Sequence, residues 1–149
     1  MHVFTSPDEL SGAVGRPLGS SDWLTIEQDR VNRFAEATGD HQWIHVDPER
    51  ARQGPFGAPI AHGFLTVSLL PTLVSQIYRV QARMAINYGL NRVRFPAPVR
   101  VGSRVRASSR LIAATEIDGG VQLVTNTVIE IDGGTKPACV AETVSRYLR

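Results

Sequence analysis

From Gly54 to Ile77 the chain carries no Asp, Glu, Lys or Arg, and Phe64, Leu65, Val67, Leu69, Leu70, Leu73, Val74, Ile77 and Tyr78 place apolar groups on nearly every side of a helix. A helix of that kind needs other structure around it. Gly54, Pro55, Gly57, Pro59, His62, Gly63, Pro71 and Gln76 interrupt the segment. Its continuous apolar part also falls short of the ~20 residues a bilayer requires. The expectation is therefore a buried core helix rather than a membrane span, with a kink or a perturbed turn at Pro71.

What surrounds that helix follows it in the sequence. After Arg83 the texture changes to β-branched residues in alternation, with breaks near Pro96 to Pro98, Asp118 to Gly120 and Asp132 to Pro137. Three or four strands are predicted. In one, Val105, Ala107, Ser109 and Leu111 share a face opposite Arg104, Arg106, Ser108 and Arg110. In the next, Val121, Leu123, Thr125, Thr127, Ile129 and Ile131 share a face, after a hairpin signal at Asp118-Gly119-Gly120. A last strand spans about Ala138 to Leu148. Helical pieces, one enclosed helix and consecutive antiparallel strands make an α+β arrangement with the sheet wrapped on the helix. The 149 residues fit a single domain, 1–149.

The first half reads as short helices. Ser6-Pro7-Asp8-Glu9 has the cap, early proline and acids of a short helix ended by Gly15 to Pro17, and residues 1–20 are expected to be peripheral. Thr25-Ile26-Glu27-Gln28 reads as a capping box opening a second helix. Val31, Phe34, Ala35 and Thr38 lie on one of its faces and Gly39 is its stop. Asp47-Pro48 starts another. The single Cys139 has no partner for an internal disulfide, and Met1 to Leu10 has no apolar signal region. A reducing cytoplasm is the expected setting.

Between these helices lies Thr38-Gly39-Asp40-His41-Gln42-Trp43-Ile44-His45, a carboxylate and an imidazole five positions apart. That spacing separates the two by ~140° around a helix, or over ~15 Å along a strand. Only a tight irregular turn joins them, and Gly39 permits one. The competing reading makes Asp40 a turn cap and His45 a packed, satisfied histidine. A metal site from His41, His45, Asp47 and His62 is weakly indicated, because Gln42 stands where the zincin pattern places its Glu. Cys139 has no His or acid at suggestive spacing, and no G-x-S-x-G elbow or phosphate-binding glycine loop occurs.

Charge is unevenly placed. From Arg50 to Thr115 there are ten arginines and no acid, all fourteen acids lying elsewhere. A solvated strand face explains this, and so does a phosphate-bearing partner suited to arginine's planar fork. No RNP-like aromatic motif or finger spacing supports nucleic acid.

The segment Ala37 to Ala51, with Asp40 and His45 in a D-x-x-x-x-H pattern, resembles the (R)-specific enoyl-CoA hydratases of the hydratase 2 or MaoC-like family. Pro59-Ile60-Ala61-His62-Gly63-Phe64 is similar to that family's entry to its central helix, and Ile86 to Val99 to its following strand. The resemblance covers about Trp23 to Tyr147. It implies a hot-dog fold, one long helix wrapped by an antiparallel sheet, paired as a homodimer. It implies reversible hydration of a trans-2-enoyl-CoA to the (R)-3-hydroxyacyl-CoA by the Asp40/His45 dyad, with the Gly63 amide as oxyanion donor. His62, Asn87, Tyr88 and Gly89 would belong to the substrate tunnel, with no metal and no cofactor beyond the coenzyme A of the substrate. Coenzyme A would in turn give Arg94, and among Arg92, Arg100, Arg104 and Arg106 others, a phosphate to bind. The family often reads D-x-N-P-x-H, so Gln42 and Trp43 depart from it, with Trp43 either packing or filling an apolar slot. The alternatives are a hot-dog acyl-CoA thioesterase and a non-catalytic acyl-thioester-binding subunit of a heteromeric dehydratase.

Overall fold

In the computed structural model, which describes residues 1–149, the alternation of the C-terminal half becomes four long strands. These are β5 (Met84–Arg94), β6 (Arg104–Ile117), β7 (Gly120–Ile131) and β8 (Cys139–Leu148). They are preceded by β1 (His2–Phe4), β2 (Pro17–Ser20), β3 (Leu24–Thr25) and β4 (Tyr78–Val80). The main sheet runs β2-β6-β7-β8-β5, with β3 also on β6, and all its pairings are antiparallel. The face read from the sequence is the inner one: Val105, Ala107, Ser109 and Leu111 are buried on β6, and Val121, Leu123, Thr125, Thr127 and Ile129 on β7. Asp118 and Gly119 form the hairpin tip, Gly119 at φ +71°. Gly120 has no room for a side chain, since a Cβ there would run into the Tyr147 carbonyl oxygen.

The apolar segment lies against this inner face as two helices, α4 (Gly63–Ser68) and α5 (Leu70–Val74). Pro71 has no N–H to give the Val67 carbonyl, and the helix is interrupted at Leu69, where the backbone stays near-helical at φ −79°, ψ −10°. The axis continues, because Leu69 donates to Leu65 and Leu73 to Leu69. Leu65, Leu69, Leu70, Leu73 and Ile77 are buried in the core. The expectation of enclosure on every side needs correction: Phe64, Ser68, Pro71 and Thr72 are exposed, so one side of the helix faces open space.

The first twenty residues also depart from their expected role. Phe4, Leu10 and Ala13 are buried in the main hydrophobic cluster, β1 pairs with β4, and β2 pairs with β6. The segment is part of the core because its apolar groups cover the end of the sheet. Ser6 caps the 3-10 helix Pro7–Ala13 by accepting from the Asp8 amide, as its sequence suggests. The capping box at Thr25 does not form. Thr25 is drawn into β3 opposite Arg104, and α1 (Gln28–Thr38) starts from Glu27 with no side-chain cap. Two short helices follow, α2 (Trp43–Val46) and α3 (Pro48–Arg52), the latter capped by Asp47 through the Arg50 amide.

Two positions matter later. Cys139, at the start of β8, is wholly buried, and burial pushes its thiol up to about 11. At the other side of the sheet, β5 has β8 on one edge and no strand on the other, with Met84, Ile86, Tyr88 and Leu90 exposed along it.

Candidate active site

Gly39 ends α1 in the left-handed region at φ +81°, its amide returning to the Ala35 carbonyl. The chain reverses there, and a carboxylate oxygen of Asp40 accepts from the Gln42 amide at 3.3 Å. That contact helps define the turn where the related pattern has Asn-Pro. One turn of α2 then carries His45 inward, and the Gln28 side-chain amide holds the His45 carbonyl at 2.7 Å. Trp43 packs under the Arg50 guanidinium, 4.4 Å from its ring, and against Gly54, where a Cβ would lie 2.9 Å from the indole.

The His45 ring is 6% exposed, with Nδ1 2.6 Å from the Ile60 carbonyl oxygen. A carbonyl only accepts, so Nδ1 carries the hydrogen and Nε2 is left with its lone pair. Burial holds the His45 pKa below the usual imidazole value, and nearby His62 adds to this; the Ile60 carbonyl and the Asp40 carboxylate oppose it. Ile60 is itself fixed, donating to the Ile44 carbonyl and bridging to Arg100.

His62 stands at the head of α4 and is 2% exposed. Its Nε2 donates to the Asp40 main-chain carbonyl at 3.0 Å, and its ring stacks on His45, centroids 3.8 Å apart at 23°. Phe34 closes its other side at 4.8 Å. The remaining nitrogen, Nδ1, is buried without a partner. His62 is thus a buried brace and not the tunnel wall that the resemblance implied, because the Asp40 carbonyl turns it into the protein.

Asp40, His45 and His62 present ligand-type atoms within 4.8 Å of one another. Metal ligands must converge on one centre, whereas stacked imidazoles direct their in-plane lone pairs side by side. Each ring also has one nitrogen bonded to a main-chain carbonyl, which leaves one free ring nitrogen on each imidazole near the Asp40 carboxylate, groups able to pass a proton. His41 lies outside this cluster, exposed, 3.7 Å from Glu36.

Gly63 opens α4, where the first amides have no acceptor within the helix. A side chain there would collide with Phe95, whose ring would lie 2.9 Å from the Cβ. Beyond Gly63, the positions four, seven and eleven residues on are Val67, Leu70 and Val74, one helix face that lines a cavity of about 650 Å³. Asn87, Gly89 and Leu90 of β5 line its opposite wall. Tyr88 does not. A register shift between Asn87 and Gly89 makes it the extra residue of a bulge, and its ring lies 3.5 Å under the Arg146 guanidinium.

The arginine block separates in three dimensions. Arg104 and Arg106 pair with Asp132 and Glu130 of the neighbouring strand end and flank Trp23, so their charge is already engaged. Arg94 is exposed and, with Arg92, lines a small separate cleft that also contains Glu142. The contributions of Ile60, Gln28 and Phe95 have no motif: two act through main-chain carbonyls, and the third through the space at Gly63.

The family described as MaoC like domain matches residues 9–133. The 3-hydroxyacyl-thioester dehydratase Z of Mycobacterium tuberculosis (strain ATCC 25618 / H37Rv) is 58% identical over 150 residues, covering 99% of each chain. Among solved structures, the (R)-hydratase from A. caviae involved in PHA biosynthesis aligns with a TM-score of 0.74 at 29% identity, covering 90% of this chain and 96% of that one. The monoamine oxidase regulatory protein from Archaeoglobus fulgius shares the fold, with a TM-score of 0.81 at 21% identity and 99% and 97% coverage. The chain belongs to the MaoC-like dehydratase family and has its hot-dog fold.

Proposed function

We propose that the protein catalyses reversible hydration of trans-2-enoyl-CoA to (R)-3-hydroxyacyl-CoA. The observation that carries this reading is the convergence of the Asp40 carboxylate and the His45 imidazole with His62, the residue that leads into the free first amides of α4, a helix whose later residues line a cavity. Water attacks C3 as His45 Nε2 takes its proton, and C2 gains a proton from the dyad, so the elements of one water are added across the double bond. His45 is poised for the first step, since its hydrogen-bonded Nδ1 leaves Nε2 basic and burial favours the neutral ring. Asp40 orients the water and takes part in the second transfer. Charge that builds on the thioester oxygen meets the Gly63 amide, and one such donor is worth ~3 kcal/mol of barrier. The acyl chain runs from there along Val67, Leu70 and Val74, with Asn87 and Gly89 opposite. Arg92 and Arg94, which keep their charge free of carboxylate pairing, serve the coenzyme A phosphates better than Arg104 and Arg106 do.

A thioesterase whose carboxylate lies on the central helix is disfavoured, because no acid occurs between Arg50 and Thr115. The unpaired, apolar edge of β5 calls for a second chain, and that chain is a second copy of this one. Sedimentation at twice the 16.3 kDa chain mass is expected, and a monomer at micromolar concentration would refute it. The cytoplasm remains the expected setting.

The test is loss of enoyl-CoA absorbance on adding enzyme, with chiral analysis of the product. Asp40→Asn and His45→Ala should each lower kcat/KM by ~10²–10⁴-fold while the unfolding transition persists. Undiminished activity in either variant would sink the dyad.

A further inference from the structure

On its helix side the cavity is lined by Val67, Leu70, Pro71 and Val74, with Ser68 and Ser75 among them. Its floor is a group of hydroxyls: Thr125 from β7, Thr143, Ser145 and Tyr147 from β8, and Tyr78 from β4. Of the other buried side chains on β7, Thr127 is sealed against the Ser109 hydroxyl and Val121, Leu123 and Ile129 are apolar, so the sheet hydroxyls that reach the cavity are those named. Thr125 and Thr143 face each other in register with their hydroxyl oxygens 2.6 Å apart. Tyr78 and Tyr147 also line the cavity, and burial raises both phenols above their ordinary range, so both stay protonated and able to donate.

A hydroxyl brings one donor and two acceptor sites, so Thr125, Thr143, Tyr78 and Tyr147 offer more hydrogen-bonding capacity than their mutual contacts use. An alkyl chain pressed onto them removes water and gives nothing back, which is costly for buried polar groups. A ligand oxygen returns that loss. Resting on the hydratase reading, we propose that this cavity selects acyl thioesters whose chain carries a hydroxyl oxygen remote from the thioester. The placement fits: at 1.5 Å per residue, Val67 to Val74 lie about 6 to 16 Å along the helix axis from Gly63, well beyond the reacting carbons.

Three substrates separate this proposal from the reaction beneath it. Hydration of trans-2-butenoyl-CoA, too short to reach the floor, reports the reaction alone. The ratio of kcat/KM for 10-hydroxy-trans-2-decenoyl-CoA over trans-2-decenoyl-CoA reports the floor. We expect the hydroxylated chain to be favoured by ~10-fold or more. Thr143→Val and Tyr147→Phe should bring the ratio to about one or below, while Thr143→Ser should keep it. Equal use of the two decenoyl thioesters, or a ratio unmoved in both variants, overturns the proposal. Calorimetric binding of decanoyl-CoA and 10-hydroxydecanoyl-CoA to the wild-type protein reads the same preference without turnover, so failure to hydrate any substrate would strike the reaction and leave the preference measurable.

Discussion

The sheet and the segment from Gly39 to Gly63 are held in different ways. β6 and β7 pair from Val105↔Ile131 to Ile117↔Gly120, a ladder that repeats the same contact along its length except for one register shift between Leu111 and Ala113. The site has few such repeats: it depends on the Gln42 amide on Asp40, the Ile60 carbonyl on His45 and the His62 ring on the Asp40 carbonyl. Damage to the ladder is shared along it, whereas damage at the site falls on one catalytic group. Stability and activity should therefore respond to different substitutions.

The largest expected effect tests the sheet. Leu123→Ala empties a position that is 1% exposed and should cost about 2–5 kcal/mol of unfolding free energy by denaturant titration. The folded fraction should keep kcat/KM within about twofold, and a larger loss would show that sheet and site are coupled. Next is His62→Ala, which removes the donor to the Asp40 carbonyl and the face on which His45 stacks. It should lower kcat/KM by about 10–100-fold, equivalent to roughly 1.4–2.7 kcal/mol of barrier. His62→Gln, which keeps an N–H donor, should recover part of that loss. Equal activity in the Ala variant would show that the brace is dispensable.

Gly39→Ala is a smaller perturbation. A Cβ there meets nothing within 4 Å, so only the left-handed backbone is penalised, by about 1 kcal/mol. The smallest effect is the pH response of His45. Because its folded pKa is lowered, the unfolded chain takes up a proton first as pH falls through the usual imidazole value near 6.5. Stability should decline from there down to the folded pKa and level off below it. The acid limb of kcat/KM should lie below pH 6.5 as well, and a limb above it would contradict the burial of the ring.

What could be read from the sequence follows the same division. The inward faces of β6 and β7, the stop at Gly39 and the cap at Asp47 depend on neighbours within a few residues, so local pattern shows them. Thr25 has a good local cap pattern, but pairing with Arg104 across the sheet prevails. His62 turns away from the cavity because its acceptor lies 22 residues earlier, and Tyr88 turns away because a bulge changes the count along β5. The acid-free block is real along the chain. Sheet register nonetheless sets Arg106 directly opposite Glu130, and no run of charges reports that.

Cys139 gives these comparisons a chemical clock. It is the chain's single thiol, fully shielded at the start of β8 and held in its unreactive protonated form by a pKa of about 11. A thiol reagent therefore registers only those molecules in which that end of the sheet has opened. Its labelling rate counts openings of the ladder one molecule at a time, with no second cysteine to blur the signal.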